Sequence, residues 1–514
     1  MSTATMDRSR FTFIPTIVGI GLAGGIAIGF VGVKFSAPIV LALSFGILIG
    51  IVFLRYPSYA LYVTVALIPI ERFGRFTDDN TQFTISLMRI MGLVALGVLL
   101  VDGLLRKRSF TFGPAFFLYG GYVGMGILSI LYTTDTLGTI RGASAIVGNL
   151  LFFFVVVNMA TTRKHVFVSI VIWLTVSVAI SAYTAYDWHY GSGRSEITIV
   201  SGENDPGKGV QTQETRWATV WMDQAELESL GGKTLRRTMG PTSHAAVYGI
   251  NCILTIPFLL YMLRLPIKRG WKVVVLISLA LIGYSILLTN TRAVMLAAAL
   301  VGLFCLMKGL IRLRPGQYIA LLIVAVSMVG FIPEDVYNRI LDLSNYSYKN
   351  SASLRIRVEY AQAGIQAISD NWLYGSGLAN ENIVPEYLES WSSAPERTTV
   401  HNEYLQTLME VGFIGAGFLF SFVGLLFYYA NQSAKNFARS SDTEQEYWFM
   451  VAVQISMVGV LIYGVQVDVF HFPLKGWWLL AGITASMYCI SNRLVRESAM
   501  EEKTDIQVEK HVDA

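Results

Sequence analysis

Charged residues are scarce in this chain of 514 residues, and that scarcity excludes several classes of protein. Asp, Glu, Lys and Arg make up only 14% of the chain, whereas an ordinary soluble domain carries about a quarter. The net charge of +4 is too small to predict a nucleic-acid or acidic partner. Intrinsic disorder is excluded as well, because 54% of the residues are hydrophobic and the mean hydropathy is +0.52.

Cysteine is also rare. The three cysteines, Cys252, Cys305 and Cys489, lie in apolar stretches without a CxxC pair or metal-ligand spacing, so a disulfide-stapled secreted fold is excluded. The N-terminus carries no recognisable cleavable signal peptide, because its apolar run continues into more apolar sequence. We therefore interpret the first run as a retained membrane span.

Long apolar runs are what the chain does have. A helix needs about 20 apolar residues to cross a hydrocarbon core of about 30 Å, and lipid requires every spanning segment to be helical or part of a closed barrel. The sequence predicts an all-α polytopic integral membrane protein with about 14 spans, in a range of 12–14. The runs are 12–33, 36–54, 57–70, 84–104, 113–132, 140–160, 166–186, 242–263, 273–289, 293–310, 317–333, 402–429, 447–466 and 473–490.

Lys and Arg concentrate in alternate short connections, as in Arg106-Lys107-Arg108. By the positive-inside rule, this alternation predicts that both termini are cytoplasmic. Two long loops, 187–241 and 334–400, then lie outside the cytoplasm. Connections between packed helices are usually short, so these loops indicate recognition or chemistry on that side.

The predicted organisation follows from this topology. Stretch 353–368 has the pattern of an amphipathic helix within the second loop, and the polar, acidic tail is predicted to be disordered. No internal repeat is found, which argues against an inverted-repeat transporter. The segments are N-terminal transmembrane helices (1–186), an extracytoplasmic loop (187–241), core transmembrane helices (242–333), an extracytoplasmic catalytic loop (334–400), C-terminal transmembrane helices (401–496) and a cytoplasmic tail (497–514).

A histidine stands where the second long loop runs into an apolar helix. His401 is followed by Asn402, Glu403 and Tyr404. Histidine exchanges protons near neutral pH, which is what a general base requires. The alternative is that His401 and Asn402 only end the loop and cap the helix, with Glu403 and Glu410 complementing its N-terminal dipole.

Four arginines are candidates for binding an anion. Arg292 lies in a tight turn between two apolar runs, where a guanidinium either snorkels to the interface or meets an anion. Arg355 and Arg357 are two residues apart, so on a helix they point to nearly opposite faces and at most one faces a shared site. Arg237 lies in a basic, turn-rich stretch that leads into the next span.

The order of these elements resembles the O-antigen ligase and O-antigen polymerase superfamily over about residues 237–430. The His-Asn stretch and its glycines carry most of the resemblance. Two departures are Ser243-His244, where the family usually has Pro-Asn, and Tyr360, where a tryptophan is common. The matching elements are Arg292, Arg355 or Arg357, Gly375 and Gly377, and His401-Asn402-Glu403-Tyr404-Leu405 with Gly412 and Gly415.

This resemblance implies roles for individual residues. His401 acts on the acceptor hydroxyl as a base or orients it, and the donor diphosphate is held by Arg292 together with Arg355 or Arg357. Arg237 matches a further element of the diphosphate site. The supporting residues are Asn402, Glu403, Tyr404, Gly375 and Gly377.

The resemblance also implies the reaction. The protein lies in the bacterial inner membrane and transfers a saccharide from an undecaprenyl-diphosphate donor to a glycan, lipid or protein acceptor at the extracytoplasmic face. It uses no cofactor, no metal and no nucleotide sugar, and its remaining partners are membrane lipids. The acidic pair Asp78-Asp79, in an earlier predicted outer loop, is interpreted as a solvated turn.

Several reactions remain open. A polymerase of a surface polysaccharide or exopolysaccharide is preferred, with a lipid-core O-antigen ligase or a protein O-oligosaccharyltransferase as alternatives. A polysaccharide flippase is a more distant alternative. A transporter places ionisable residues near the middle of its spans, whereas these arginines and His401 lie at helix ends and in loops.

Overall fold

The protein is helical throughout the part of the chain that the structure describes. The computed structural model describes residues 49–70, 86–190, 238, 240–242, 245–311, 352–388, 399–467 and 474–512, and every regular element there is a helix. The predicted runs 12–33 and 317–333 lie outside these ranges, as do most of 36–54 and most of the loop 187–241. The full number of spans therefore stays a prediction.

The helices are numbered here in chain order. Short 3₁₀ turns also occur at Ile68–Ile70, Ser129–Leu131 and Ser441–Thr443. The helices are α1 Ile49–Arg55, α2 Pro57–Ala66, α3 Leu87–Arg106, α4 Pro114–Leu128, α5 Thr136–Met159, α6 Arg163–Tyr190, α7 Ala245–Arg264, α8 Arg269–Leu288, α9 Arg292–Met307, α10 Ala352–Asp370, α11 Ile383–Glu386, α12 Glu403–Phe437, α13 Glu444–Gly464 and α14 Lys475–Val512.

The apolar runs and the helices agree over most of the described chain. Eight described helices are long and apolar enough to cross a membrane, and nine if a bent pair is counted as one span. These eight are α3 to α8, α12 and α13, each at a predicted run. The protein is therefore an all-helical polytopic membrane protein.

The structure differs from the prediction at two runs and in the tail. Helices α1 and α2 meet at a bend of 118°, and α2 has only ten residues before the 3₁₀ turn, so 57–70 is not a straight span. Pro57 lies at the bend, where it cannot donate a backbone hydrogen bond. Helix α9 has 16 residues, fewer than a perpendicular span needs. Helix α14 continues to Val512 through most of the tail predicted to be disordered, whose Glu and Lys residues are good helix formers.

The core of the bundle lies around α12. Helix α12 packs against α4, α13 and α14. The buried Tyr119 ring of α4 lies 4.5 Å from Trp478 of α14 and 5.1 Å from Phe422 of α12, measured between ring centroids. Aromatic contacts of this kind add to packing, which is the main attraction between helices in lipid.

Small residues bring α7, α9 and α13 close together. A Cβ atom on Gly249 of α7 would lie 2.5 Å from Val294 of α9, and one on Gly459 of α13 would lie 2.7 Å from Val301 of α9. Backbones approach this closely only where a side chain is missing. The start of α9, which carries Arg292, is thereby held against α7 and α13.

Candidate active site

Helix α12 is broken close to its start, at Gly412. This residue has φ 62° and ψ −172°, a conformation that is essentially restricted to glycine. A continuous helix would pair the carbonyls of Met409 and Glu410 with the N–H groups of Phe413 and Ile414. The break removes these hydrogen bonds inside a membrane protein, where unpaired backbone groups are costly.

A segment after α10, residues 372–377, replaces the missing hydrogen bonds and is called the clasp below. Ser376 N–H donates to the Met409 carbonyl at 2.9 Å, and Gly377 N–H donates to the Glu410 carbonyl at 2.9 Å. The N–H groups of Phe413 and Ile414 in turn donate to the carbonyls of Trp372 and Leu373, at 2.9 and 3.3 Å. The clasp therefore pairs the backbone groups on both sides of the break.

Glycine is required both in α12 and in the clasp, where the two backbones cross. A Cβ on Gly412 would lie 2.3 Å from the Leu373 carbonyl oxygen, and a Cβ on Gly375 would lie 2.4 Å from the Glu410 carbonyl. A Cβ on Gly377 would lie 2.4 Å from Thr133 Oγ1. Gly375 and Gly377, which the sequence marked as supporting residues, thus lie against the break in α12.

His401 lies one residue before the N-cap of α12. Its backbone has φ 55°, a left-handed conformation that is uncommon for residues other than glycine. Its half-buried ring has Nδ1 3.3 Å from Thr399 Oγ1, and its centroid lies 6.2 Å from that of the buried Tyr360 ring. Such backbone strain is found where the surroundings hold a functional residue in place.

Asn402 caps α12 and also ties it to the end of α13. Its Oδ1 accepts hydrogen bonds from the N–H groups of Tyr404 and Leu405, at 3.0 and 3.1 Å. Its Nδ2 donates to the Val465 carbonyl at 3.1 Å, and the Tyr404 hydroxyl donates to the Leu461 carbonyl at 2.7 Å. The capping alternative is correct for Asn402, and its side chain binds a second helix in addition.

Four polar side chains are fully buried in the first turns of α12. Gln406 accepts from Val400 N–H at 3.0 Å and donates to Glu410 Oε1 at 2.6 Å, so it links the residue before His401 to a buried carboxylate. Glu403 accepts from the Thr407 hydroxyl at 3.2 Å. Gln406 was not predicted as a site residue, although the four-residue spacing of Asn402, Gln406 and Glu410 indicates one shared helix face.

Helix α10 confirms the amphipathic helix predicted at 353–368. Its buried side chains include Ile356, Tyr360 and Ala363, at the spacing of one helix face. Arg357 is half-buried and its Nη1 donates to the Gln466 carbonyl at 3.0 Å, whereas Arg355 is exposed. Arg357 therefore reaches the same end of α13 that Asn402 contacts.

Arg292 begins α9 directly after a buried turn. Thr289 and Asn290 have no exposed surface, and Asn290 has a left-handed φ of 47°. The Thr289 hydroxyl donates to the Ile286 carbonyl at 2.7 Å, which keeps the turn tight. The half-buried Arg292 side chain is therefore presented from a rigid corner between α8 and α9.

A series of contacts relates Arg292 to the His401 region. Val294, two residues after Arg292, packs against Gly249 of α7, and Ala246 of α7 accepts a hydrogen bond from the Tyr463 hydroxyl of α13 at 3.3 Å. The end of α13 contacts Asn402 and Arg357. The starts of α9 and α12 and the Arg357 face of α10 therefore lie at one end of the bundle.

Two parts of the predicted site need separate comment. Arg237 and the pair Ser243-His244 lie outside the described residues. Among the residues that are described, no group of three or more His, Cys, Asp or Glu side chains is arranged to hold a metal ion.

The structure thus defines a class of protein: a multi-pass membrane protein with histidine and arginine side chains gathered at one end of its helix bundle. Residues 277–421 carry a domain of the O-antigen ligase family, which includes Arg292, Arg355, Arg357 and His401. Members of this family are inner-membrane transferases of lipid-linked glycans. The match confirms the family resemblance seen in the sequence. Curated proteins with similar sequences were also sought, and none matches the chain.

Proposed function

We propose that this protein polymerises a bacterial surface polysaccharide or exopolysaccharide, using an undecaprenyl-diphosphate-linked saccharide at the extracytoplasmic face of the inner membrane. One observation carries the proposal. Asn402, which directly follows His401, and Arg357 both bind the end of α13, through the neighbouring carbonyls of Val465 and Gln466. A proton acceptor and a cation thus share one location within the matched family region.

His401 is the base in this proposal. The Nδ1 atom of the ring lies against Thr399 Oγ1, and the unprotonated nitrogen of the neutral imidazole accepts the proton of the acceptor hydroxyl. The acceptor oxygen then forms a bond to the anomeric carbon of the donor, and the bond between that carbon and the diphosphate oxygen breaks. The electron pair stays on the undecaprenyl diphosphate, and the proton on His401 passes to solvent before the next cycle.

Arg292 and Arg357 stabilise the leaving diphosphate. A guanidinium has five N–H donors, so Arg357 retains donors for a phosphate while one N–H binds the Gln466 carbonyl. Fixed cations aimed at developing charge lower the barrier most where water is excluded. Arg357 is preferred over Arg355 because it is half-buried at this end of α13, and Arg237 remains a further candidate.

The first test replaces His401 and Arg292 separately by alanine. Each variant is expected to lower transfer by at least about 100-fold, because a general base and an electrostatic donor each contribute on that scale. The readout is the length and amount of cell-surface polysaccharide at equal protein levels. His165→Ala and Arg439→Ala are matched controls because these residues lie at the opposite end of the bundle. Unchanged polysaccharide in both site variants excludes the proposal.

A gene deletion separates the candidate reactions. Polymerase activity is supported if single repeats accumulate on the lipid anchor. Accumulation of long chains that are not attached to their acceptor indicates a lipid-core or protein ligase instead. Loss of lipid-linked units from the outer leaflet indicates a flippase. Transfer by the purified protein in the presence of a chelator tests whether the reaction is metal-independent.

A further inference from the structure

A cleft lies beside the clasp, and neither the histidine nor the arginines assigned to the proposed reaction line it. It has a volume of about 430 Å³, within the range of small-molecule binding sites. Three tyrosines line it: Tyr132 from the turn after α4, Tyr374 from the clasp and Tyr387 after α11. This site is called the tyrosine cleft below.

The tyrosine rings are held in place through their hydroxyl groups and backbone. The Tyr132 hydroxyl donates to the Tyr374 carbonyl at 2.7 Å, and the Tyr387 hydroxyl donates to Asp370 Oδ2 at 2.7 Å. The hydrogen bond to Asp370, together with burial, raises the pKa of Tyr387 to about 12, so this hydroxyl stays protonated. Tyr132 and Tyr374 nevertheless expose 43% and 55% of their surface, which leaves ring surface available to a ligand.

Amide and carboxylate groups surround these rings. Asn380 is fully buried and donates to Thr134 Oγ1 and to the Ser376 carbonyl, both at 3.0 Å, so it fixes the floor of the cleft. Asn371 and Glu386 are exposed at its rim. They supply hydrogen-bond donors and acceptors next to apolar ring faces, the combination that suits a sugar with its hydroxyl groups and C–H faces.

The charges of the side chains that line the cleft indicate which class of ligand it can bind. Among the described residues that line the tyrosine cleft, none is Lys or Arg, and Glu386 contributes a carboxylate. A phosphate or diphosphate group is disfavoured at such a site by repulsion and by the lack of a cationic partner. An apolar lipid chain is disfavoured by the exposed amide and carboxylate groups, which would lose water without gaining partners.

The clasp connects the tyrosine cleft to the candidate active site. Gly375 and Ser376 line the cleft, and Ser376 N–H donates to the Met409 carbonyl in the first turns of α12. Met409 lies six residues after Glu403, which corresponds to about 9 Å of helix rise. The cleft is therefore lined by the same backbone segment that supports the first turns of α12.

We propose that the tyrosine cleft binds a saccharide unit of the glycan that is transferred or extended. The proposal rests on the proposed glycan transfer, and it adds a binding site separate from the diphosphate. The saccharide belongs either to the donor or to the acceptor, and both have the same recognition chemistry. The experiment below distinguishes these sources.

The binding test uses the purified full-length protein in detergent. The probe is the single-repeat oligosaccharide that mild acid releases from the lipid-linked intermediates of the producing strain, and binding is followed by saturation-transfer NMR. Tyr374→Ala is expected to weaken binding about 3- to 10-fold, the range of a lost aromatic contact. Tyr374→Phe retains binding because it retains the ring. The matched control is Tyr190→Ala, which removes another exposed tyrosine at the end of α6.

Transfer kinetics identify which substrate occupies the cleft. With Tyr374→Ala, a raised KM for the acceptor at an unchanged kcat assigns the cleft to the acceptor glycan, and a raised KM for the donor assigns it to the donor glycan. Glu386→Gln tests the polar rim in the same way. Size-exclusion chromatography shows whether each variant is folded.

The proposed function and the proposed saccharide site can be overturned independently of each other. His401→Ala is expected to lower transfer by at least about 100-fold while it leaves oligosaccharide binding unchanged. If Tyr374→Ala binds the probe as tightly as the wild type, the cleft proposal is overturned even when transfer depends on His401. If His401→Ala transfers normally, the proposed function fails, and the NMR result still decides whether the cleft binds a saccharide.

Discussion

The two parts of helix α12 on either side of Gly412 are stabilised in different ways. The first part, 403–411, buries polar side chains such as Glu403, Gln406 and Glu410, each with a hydrogen-bond partner. The second part, 413–437, buries Leu419, Phe422 and other apolar side chains in the core. The first part is thus positioned by directional hydrogen bonds, and the second by packing, which tolerates small shifts.

This difference has a functional meaning. In the proposed function a catalytic His401 must be held within about 0.5 Å of its productive geometry, and the hydrogen bonds in the first part of α12 help to hold it there. The break at Gly412 separates the two requirements, and the clasp restores the backbone hydrogen bonds. Four substitutions test this comparison.

Gly412→Ala is expected to have the largest effect. It places a Cβ 2.3 Å from the Leu373 carbonyl oxygen and forces alanine into a glycine conformation, at a combined cost of about 3 kcal/mol or more. The yield of monodisperse protein and its Tm measure this cost. Gly417→Ala and Gly424→Ala are matched controls in the second part of α12, because neither Cβ meets an atom within 4 Å. Equal stability of all three variants would falsify the proposed role of the clasp.

Arg357→Ala is expected to have the second-largest effect, and it lowers activity rather than stability. Removal of a fixed cation that stabilises developing charge costs about 100-fold in transfer rate, or about 2.7 kcal/mol. Arg355→Ala is the matched control, since this exposed arginine lies on the same helix. Initial rates of the purified variants measure the difference. A larger loss for Arg355→Ala reverses the assignment.

Gln406→Leu is expected to destabilise the protein by about 1–3 kcal/mol, because the buried Val400 N–H loses its side-chain acceptor and Glu410 loses one donor. Activity falls as well, since Val400 directly precedes His401. Thermal unfolding and transfer rate are measured together. The control Gln432→Leu removes a comparable hydrogen bond, to Asn436, in the second part of α12. The comparison loses its support if Gln432→Leu lowers activity as much as Gln406→Leu.

Asn402→Ala is expected to have the smallest effect, about 1 kcal/mol, because it removes the N-cap of α12. Asn402→Ser keeps a capping oxygen but loses the amide that donates to the Val465 carbonyl. Their Tm values separate the contribution of the cap from that of the contact with α13. Identical Tm values for the two variants indicate that the cap contributes little.

Much of the site was predictable residue by residue, but its arrangement was not. The two-residue spacing of Arg355 and Arg357 predicts that only one faces a shared site, and it leaves the choice open. The proposed function prefers Arg357 because α10 docks against the end of α13 through the hydrogen bond between Arg357 and Gln466, which are more than 100 positions apart. Gly375 and Gly377 were recognisable as a motif, yet their contacts with Glu410 depend on how the clasp crosses α12.

The sequence by itself determined that the protein is a helical membrane protein and where most of its described spans lie. It could do so because a spanning helix satisfies its own backbone hydrogen bonds, so local hydrophobicity is sufficient evidence. Only the tertiary structure decided that α12 breaks at Gly412. A helix break inside a membrane protein is stable only when another segment supplies the missing hydrogen-bond partners, and here that segment, the clasp, lies about 35 residues earlier in the chain.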